Sequence, residues 1–169
     1  MLRFFLIFLS VQAVLFTAEL TAPVQEHLVI PFTERIAELS VYLVRLFDDN
    51  VASQGKVLWN TENGFAVSIE AGCNGVEATI VLLAAMLAFP APLAYRLAGI
   101  VVGALGIPLL NLARIITLFY RGQWDRTAIE WAHLYNWQAL IMLDVLVMFL
   151  VWLRFLPPRS EPREAADAA

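Results

Sequence analysis

A chain of 169 residues in which 60% are hydrophobic and only 15% are charged has too little polar surface for a water-soluble fold. The lipid bilayer must solvate much of it, which excludes an ordinary soluble enzyme. The 15 acidic residues outnumber the 11 basic ones, and no basic stretch resembles a nucleic-acid footprint, so DNA and RNA are excluded as partners. The only cysteine, Cys73, excludes an intrachain disulfide and any multi-cysteine metal cluster.

The chain begins with an apolar segment that is long enough to cross a membrane. Arg3 precedes an apolar run over residues 4–18, close to the roughly 20 residues that a spanning helix needs. We therefore predict a first spanning helix over residues 1–22. A cleaved signal peptide is the alternative, because Leu20-Thr21-Ala22 could be a cleavage site. Its removal would not move Cys73 across the membrane.

Residues 23–72 are more polar and predict a small region outside the membrane. Within it, residues 36–47 are rich in apolar side chains but carry charges and are too short to span comfortably, which is typical of an interfacial amphipathic helix. Residues 56–59 and 65–71 predict two short strands of a β-hairpin, because an Asn-Gly turn pair lies between them.

Three further apolar segments predict a three-helix core over residues 73–156. The third spanning helix is about 40 Å long at 1.5 Å per residue, so it must tilt, kink at Pro108 or protrude. Gly99 and Gly103 on this helix predict close helix contact. The charged tail, residues 157–169, is predicted to be disordered. The fold class is thus an all-α polytopic membrane protein with about four spanning helices. The predicted bounds of the last three helices are about 76–89, 93–120 and 129–155.

Tracing the chain through these helices brings three chemically active residues to one membrane face. Cys73 begins the second helix, Arg114 lies near the end of the third, and His133 lies near the start of the fourth. A thiolate is a nucleophile, and a helix N-terminus or a nearby cation favours it over the thiol. His133 can accept the thiol proton and return it to a leaving group. Arg114 can stabilise an oxyanion or hold a substrate carboxylate.

Three polar residues are predicted to support this site or to bind substrate. Asn111 lies one turn before Arg114 on the same helical face and could orient the guanidinium or donate to the substrate. Glu77 lies one turn after Cys73 and could pair with Arg114 or contact substrate. Asn74 follows the cysteine directly.

Each of these residues also has a structural interpretation. Cys73 could be a packing residue, Arg114 could snorkel to the headgroups, and His133 could belong to an aromatic interface belt. Asp144 lies roughly 16 Å along the helix axis from His133, and we predict a structural role in the bundle or a place on a proton or ion path. A zinc site built from Cys73, His133 and a carboxylate has no spacing signature, so no metal or cofactor is expected.

Basic residues near the helix ends predict the orientation. Two arginines, Arg121 and Arg126, lie on the same side as the thiol, and five lie on the opposite side. The positive-inside rule then favours a non-cytoplasmic thiol. The five are Arg3, Arg96, Arg154, Arg159 and Arg163.

Three short blocks resemble the signature of a known family. They are Ala71-Gly72-Cys73-Asn74-Gly75, Asn111-Leu112-Ala113-Arg114, and His133 at the head of the last helix. In this order they are similar to the blocks of the exosortase/archaeosortase family of membrane cysteine proteases and transpeptidases. The resemblance covers about residues 65–155.

This resemblance implies cleavage of C-terminal sorting signals on exported proteins, each made of a short motif, a membrane helix and a basic cluster. Cys73 would be the nucleophile, and Arg114 and His133 the other catalytic members. The enzyme would lie in the bacterial cytoplasmic membrane, among its lipids, with the active site on the extracytoplasmic face. Few helices precede the cysteine block, which resembles a compact exosortase H type with substrates that carry an IPTL-like motif. The competing class is a non-enzymatic transporter subunit or assembly scaffold.

Overall fold

The structure is a computed structural model that describes residues 2–124 and 137–157. Most of this part of the chain is helical, and one small antiparallel sheet accompanies the helices. The α-helices are α1 Leu2–Glu19, α2 Ala22–Val24, α3 Ile30–Val44, α4 Val76–Ala88, α5 Leu93–Trp124 and α6 Trp137–Arg154. The strands are β1 Val51–Gln54, β2 Val57–Asn60 and β3 Ala66–Ser68. His133, the predicted start of the last helix and nearly all of the predicted tail lie outside the described residues.

Two of the described helices, α1 and α5, are long and apolar enough to cross a membrane. α1 packs against α4 and buries only Glu19 among its residues, as expected of a helix whose other sides face lipid. α4 has 13 residues, which at 1.5 Å per residue extend over about 20 Å. A count of four spanning helices therefore stays a prediction.

A first hydrophobic core, here called the bundle core, holds α4, α5 and α6 together. The predicted close contacts at the two glycines of α5 are confirmed, because Gly99 meets Trp152 of α6 and Gly103 meets Leu82 of α4. A β-carbon at either glycine would overlap the facing side chain. The buried residues of this core are Ala78, Leu82, Met86, Ile107, Ile141, Val145 and Trp152.

A second hydrophobic core, here called the cap core, joins α3, the sheet and the C-terminal half of α5. The strand order is β1-β2-β3, with Val51 opposite Asn60 and Leu58 opposite Val67. The predicted excess length of the third helix is confirmed: α5 has 32 residues, about 48 Å, and continues through Pro108 into the cap. The buried residues of this core are Ile36, Ala37, Val41, Val44, Val51, Leu58, Ile69, Leu112, Ile115 and Phe119.

The region between α1 and α4 differs from the predicted amphipathic helix and hairpin in two respects. The helix predicted over residues 36–47 is α3, Ile30–Val44, and a π-helical turn, Gln25–Val29, joins α2 to it. α3 buries one face in the cap core, so it packs on protein instead of lying only on a membrane surface. The predicted hairpin is β2 and β3, to which β1 adds a third strand. Val51–Gln54 has little strand pattern of its own, and its pairing with β2 makes it a strand.

Candidate active site

The candidate site lies where the bundle core and the cap core meet. Asn111 and Arg114 stand on α5 between Ile107 of the bundle core and Ile115 of the cap core. The chain from residue 70 to residue 75, here called the Cys73 turn, leads from the end of the sheet into α4. The polar residues of α5 and the Cys73 turn are therefore brought together by segments that connect the two cores.

The Cys73 turn is a tight reversal that depends on two glycines. Gly72 has φ +80° and Gly75 has φ +84°, values in the left-handed region that glycine adopts without steric cost. The Cys73 amide donates to the carbonyl of Glu70 at 2.9 Å, and α4 begins three residues after the cysteine. The half-buried thiol therefore lies on a turn just before a helix N-terminus, as the glycine spacing predicts.

Three polar side chains, one on α5, one on α4 and one in the turn itself, form hydrogen bonds that hold this turn. Asn111 on α5 donates from Nδ2 to the Cys73 carbonyl at 2.8 Å. Glu77 on α4 accepts from the Gly72 amide through Oε1. Asn74 accepts from the Val76 amide at 3.0 Å and donates to the buried Thr33 hydroxyl on α3 at 3.2 Å. These bonds place all three residues at the turn, while their predicted roles toward Arg114 and the substrate stay predictions.

Arg114 is the charged residue that the fold places against the thiol. Its side chain is 8% exposed and lies close enough to Cys73 and to Asp144 of α6 to interact electrostatically with both. A guanidinium that snorkels to the headgroups would be exposed at its tip, so this burial argues against snorkelling. The predicted proximity of Cys73 and Arg114 is present, while the third predicted member, His133, lies outside the described residues.

A comparison with protein families assigns the chain to one of them. The family model described as transmembrane exosortase (Exosortase_EpsH) matches residues 1–153, which run from the start of α1 almost to the end of α6. The chain belongs to the transmembrane exosortase family. Searches of curated proteins and of solved structures found no match. Membership confirms the predicted family and shows that the exosortase is a membrane protein.

A groove of about 500 Å³ lies beside the Cys73 turn of the exosortase, between α3 and the sheet. Buried Thr33 and Asn74 line it, and an exposed ion pair between Lys56 and Glu70 stands at its wall. Hydrogen bonds from Lys56 and Ser68 hold the pKa of Glu70 below its usual range. The groove therefore combines polar and charged groups next to the candidate nucleophile.

A second cavity, of about 300 Å³, lies between α1, α3, α4 and α5 and is almost entirely apolar. Val29 lines both this cavity and the polar groove, so the two spaces are neighbours along one side of the fold. The cavity walls include Leu15, Leu28, Phe32, Ile80 and Leu83.

Three residues of the exosortase site were not assigned this place from the sequence. Thr33 gave no signal, because its role depends on how α3 packs against the Cys73 turn. Glu19 is 6% exposed and lies close enough to Glu77 for the two carboxylates to interact electrostatically. The sequence feature that could have indicated Glu19 is its position as an acidic residue at the end of an apolar helix. The sequence relates Asp144 to His133 by spacing along one helix, whereas in the structure Asp144 interacts electrostatically with Arg114 of α5.

Proposed function

We propose that this exosortase is a membrane cysteine protease or transpeptidase that cleaves the C-terminal sorting signals of exported proteins. The observation that carries the proposal is the buried Arg114 side chain, which interacts electrostatically with Cys73 at a glycine-flanked turn. A packing cysteine needs no buried cation beside it, since a buried charge is costly without a purpose or a partner. Family membership supports the same reaction class.

The proposed reaction proceeds through a thioester. The Cys73 thiolate attacks a peptide carbonyl of the substrate, and His133 takes the thiol proton. A carbon–sulfur bond forms, the carbon–nitrogen bond breaks, and His133 returns the proton to the leaving amine. Arg114 balances the thiolate at rest and the oxyanion during attack, while the first-turn amides of α4 add a positive partial charge. Water or an amine of an acceptor then resolves the thioester.

The proposed substrate is an exported protein that ends in a short motif, a membrane helix and a basic cluster. A cleavage site next to a membrane helix suits a thiol at the boundary between an apolar bundle and a partly polar cap. We extend the proposal to a compact exosortase H type, with an IPTL-like motif as the proposed signal. Arginines near the helix ends support an extracytoplasmic active site in a bacterial inner membrane.

The test is Cys73→Ala in cells that make a candidate substrate with an epitope after its basic cluster. We expect the processed form to disappear and the full-length form to accumulate. Ser53→Ala, in β1 away from the turn, is the control for expression and folding. Processing that continues unchanged in Cys73→Ala would favour the transporter-subunit or scaffold class. Membrane-impermeant maleimide should label Cys73 in intact spheroplasts, and labelling only after lysis would reverse the proposed orientation.

A further inference from the structure

The register between α5 and α6 is fixed by contacts away from the candidate site. Trp152 donates from Nε1 to the Tyr95 carbonyl at 2.9 Å near the far end of the bundle, and Gly106 faces Met148 nearer to the site. The two helices run in opposite directions, so increasing residue numbers on α5 face decreasing residue numbers on α6. Five residues beyond Gly106 and four before Met148, this register brings Asn111 opposite Asp144 on α6.

The tilt of helical side chains then directs Arg114 and Asp144 toward each other. In an α-helix each Cα–Cβ bond leans toward the N-terminus of its own helix. The Arg114 side chain therefore leans along α5 toward the level of Asn111. Because α5 and α6 are antiparallel, the Asp144 side chain leans in the opposite direction, toward the level of Arg114. Consistent with this, Arg114, Asn111 and Asp144 line one small cavity and the two charges interact. The rest of its wall is small or apolar: Gly75, Ala78, Ile107 and Ile141.

This cavity has the size and the lining of a site for a single water. Its volume of about 10 Å³ is roughly the space that one water needs. Asn111 is 4% exposed, and its Oδ1 atom is buried without a hydrogen-bond partner among the described residues, while its Nδ2 atom is used by the Cys73 carbonyl. A buried acceptor of this kind needs a donor. A water in the cavity can accept from the guanidinium and donate to Asn111 and to the Asp144 carboxylate.

We propose that Asp144 is a positioning residue that holds Arg114 against the Cys73 side chain through a water-bridged ion pair beneath the nucleophile. A guanidinium without a counter-charge in an apolar bundle gains free energy by turning toward the headgroups. The carboxylate of Asp144 opposes this movement, because it attracts the guanidinium toward the bundle core. The ion pair follows from the packing of α5 and α6 alone, whereas its effect on catalysis rests on the proposed peptidase function.

The ion pair is tested by a double-mutant cycle on the full chain in lipid nanodiscs, read by thermal unfolding. Arg114→Gln leaves a carboxylate without its cation, so we expect this variant to lose several-fold in folded fraction at a fixed high temperature. Adding Asp144→Asn should restore at least half of that loss. Arg96→Gln is the matched control, because Arg96 lies on the same helix about 27 Å away and donates to carbonyls near Phe89. The effects of Arg96→Gln and Asp144→Asn should add. Equal effects of Asp144→Asn with and without Arg114 would overturn the ion pair, whether or not the single variants fold well.

The positioning role is tested by the kinetics of substrate cleavage. We expect Asp144→Asn to lower kcat at least tenfold with KM within twofold of the unmodified chain. Asp144→Glu, which keeps the charge, should recover most of kcat. In the Arg114→Gln background, Asp144→Asn should change the remaining rate by less than twofold. A loss in Asp144→Glu equal to that in Asp144→Asn would overturn the role. If the unmodified chain cleaves nothing, the proposed function fails, and the unfolding cycle still decides the ion pair.

Discussion

Two glycine-to-alanine substitutions, Gly75→Ala and Gly64→Ala, distinguish the effect of backbone strain in the Cys73 turn from the effect of similar strain in another turn. Gly75 has φ +84° and Gly64, in the turn between β2 and β3, has φ +69°. Alanine in the left-handed region costs about 1–2 kcal/mol. A β-carbon would find open space at Gly64 and only ordinary van der Waals contact with Asn111, at 3.5 Å, at Gly75. Both substitutions should therefore lower the free energy of unfolding by a similar amount, about 1–2 kcal/mol, through backbone strain alone.

The two variants should differ in activity, because only Gly75 adjoins the candidate nucleophile. The chain relieves strain at residue 75 by moving the turn that carries Cys73, and a misplacement of about 1 Å can cost 100-fold in rate. We expect Gly75→Ala to lose about 100-fold in processing and Gly64→Ala to stay within threefold. Gly75→Asn should be milder than Gly75→Ala, since asparagine tolerates positive φ better.

The assay is cleavage of an epitope-tagged substrate by purified variants in nanodiscs, beside thermal unfolding of the same samples. Equal rates for Gly75→Ala and Gly64→Ala at equal destabilisation would refute the claim that the turn positions the thiol. An unchanged stability of Gly75→Ala would refute the need for a left-handed residue before α4.

Three further substitutions test other parts of the fold. Asn111→Leu leaves the Cys73 carbonyl without its donor and should cost about 1–3 kcal/mol in thermal unfolding, against no more than about 0.5 kcal/mol for an exposed polar site. Lys56→Met removes a cation that lowers the pKa of Glu70. The stabilisation from a lowered carboxylate pKa is present above the ordinary glutamate pKa and is lost as pH falls through the lowered one. The melting temperature of the unmodified chain should therefore exceed that of Lys56→Met at neutral pH, and the difference should shrink in acid. Gly103→Leu inserts a side chain where α5 touches α4 and should cost about 1–3 kcal/mol, while equal stability would mean that the contact is looser than described.

The sequence predicts the helices of the bundle well because prolines and glycines mark their ends. The second and third spanning helices were expected over about 76–89 and 93–120, and the structure has Val76–Ala88 and Leu93–Trp124. Prolines between the two apolar runs leave the backbone few alternatives. The last residues of α5 contact the sheet through Gln123, whose Oε1 atom accepts from Asn60 and Asn63, and a local sequence pattern does not reveal such contacts.

The cap was harder to predict because its elements depend on one another. β1 is a strand through its pairing with β2, and α3 extends back to Ile30 through a segment whose apolar pattern is interrupted by Pro31 and charges. Local pattern cannot supply such partners.

Within the site, chain tracing sufficed for Cys73 and Arg114, because helix order alone places both at one end of the bundle. The pairing of Arg114 with Asp144 needs the register between two antiparallel helices. Contacts such as Gly106 with Met148 set that register, and neither helix encodes it alone.

The position of the candidate site between two cores explains how charged side chains can be built into so apolar a chain. Asn111 and Arg114 occupy the single turn of α5 that leaves the bundle core and enters the cap core. A charge costs less free energy near the membrane boundary than at its centre, and Asp144 offsets part of the remaining cost from the bundle side. The cap contributes Thr33, which accepts a hydrogen bond from Asn74, and β3, which leads into the Cys73 turn. The turn that carries the thiol is therefore also held by the cap. Neither core alone would hold both the nucleophile and its cation, and this makes the packing of the cap on α5 a requirement for the proposed chemistry.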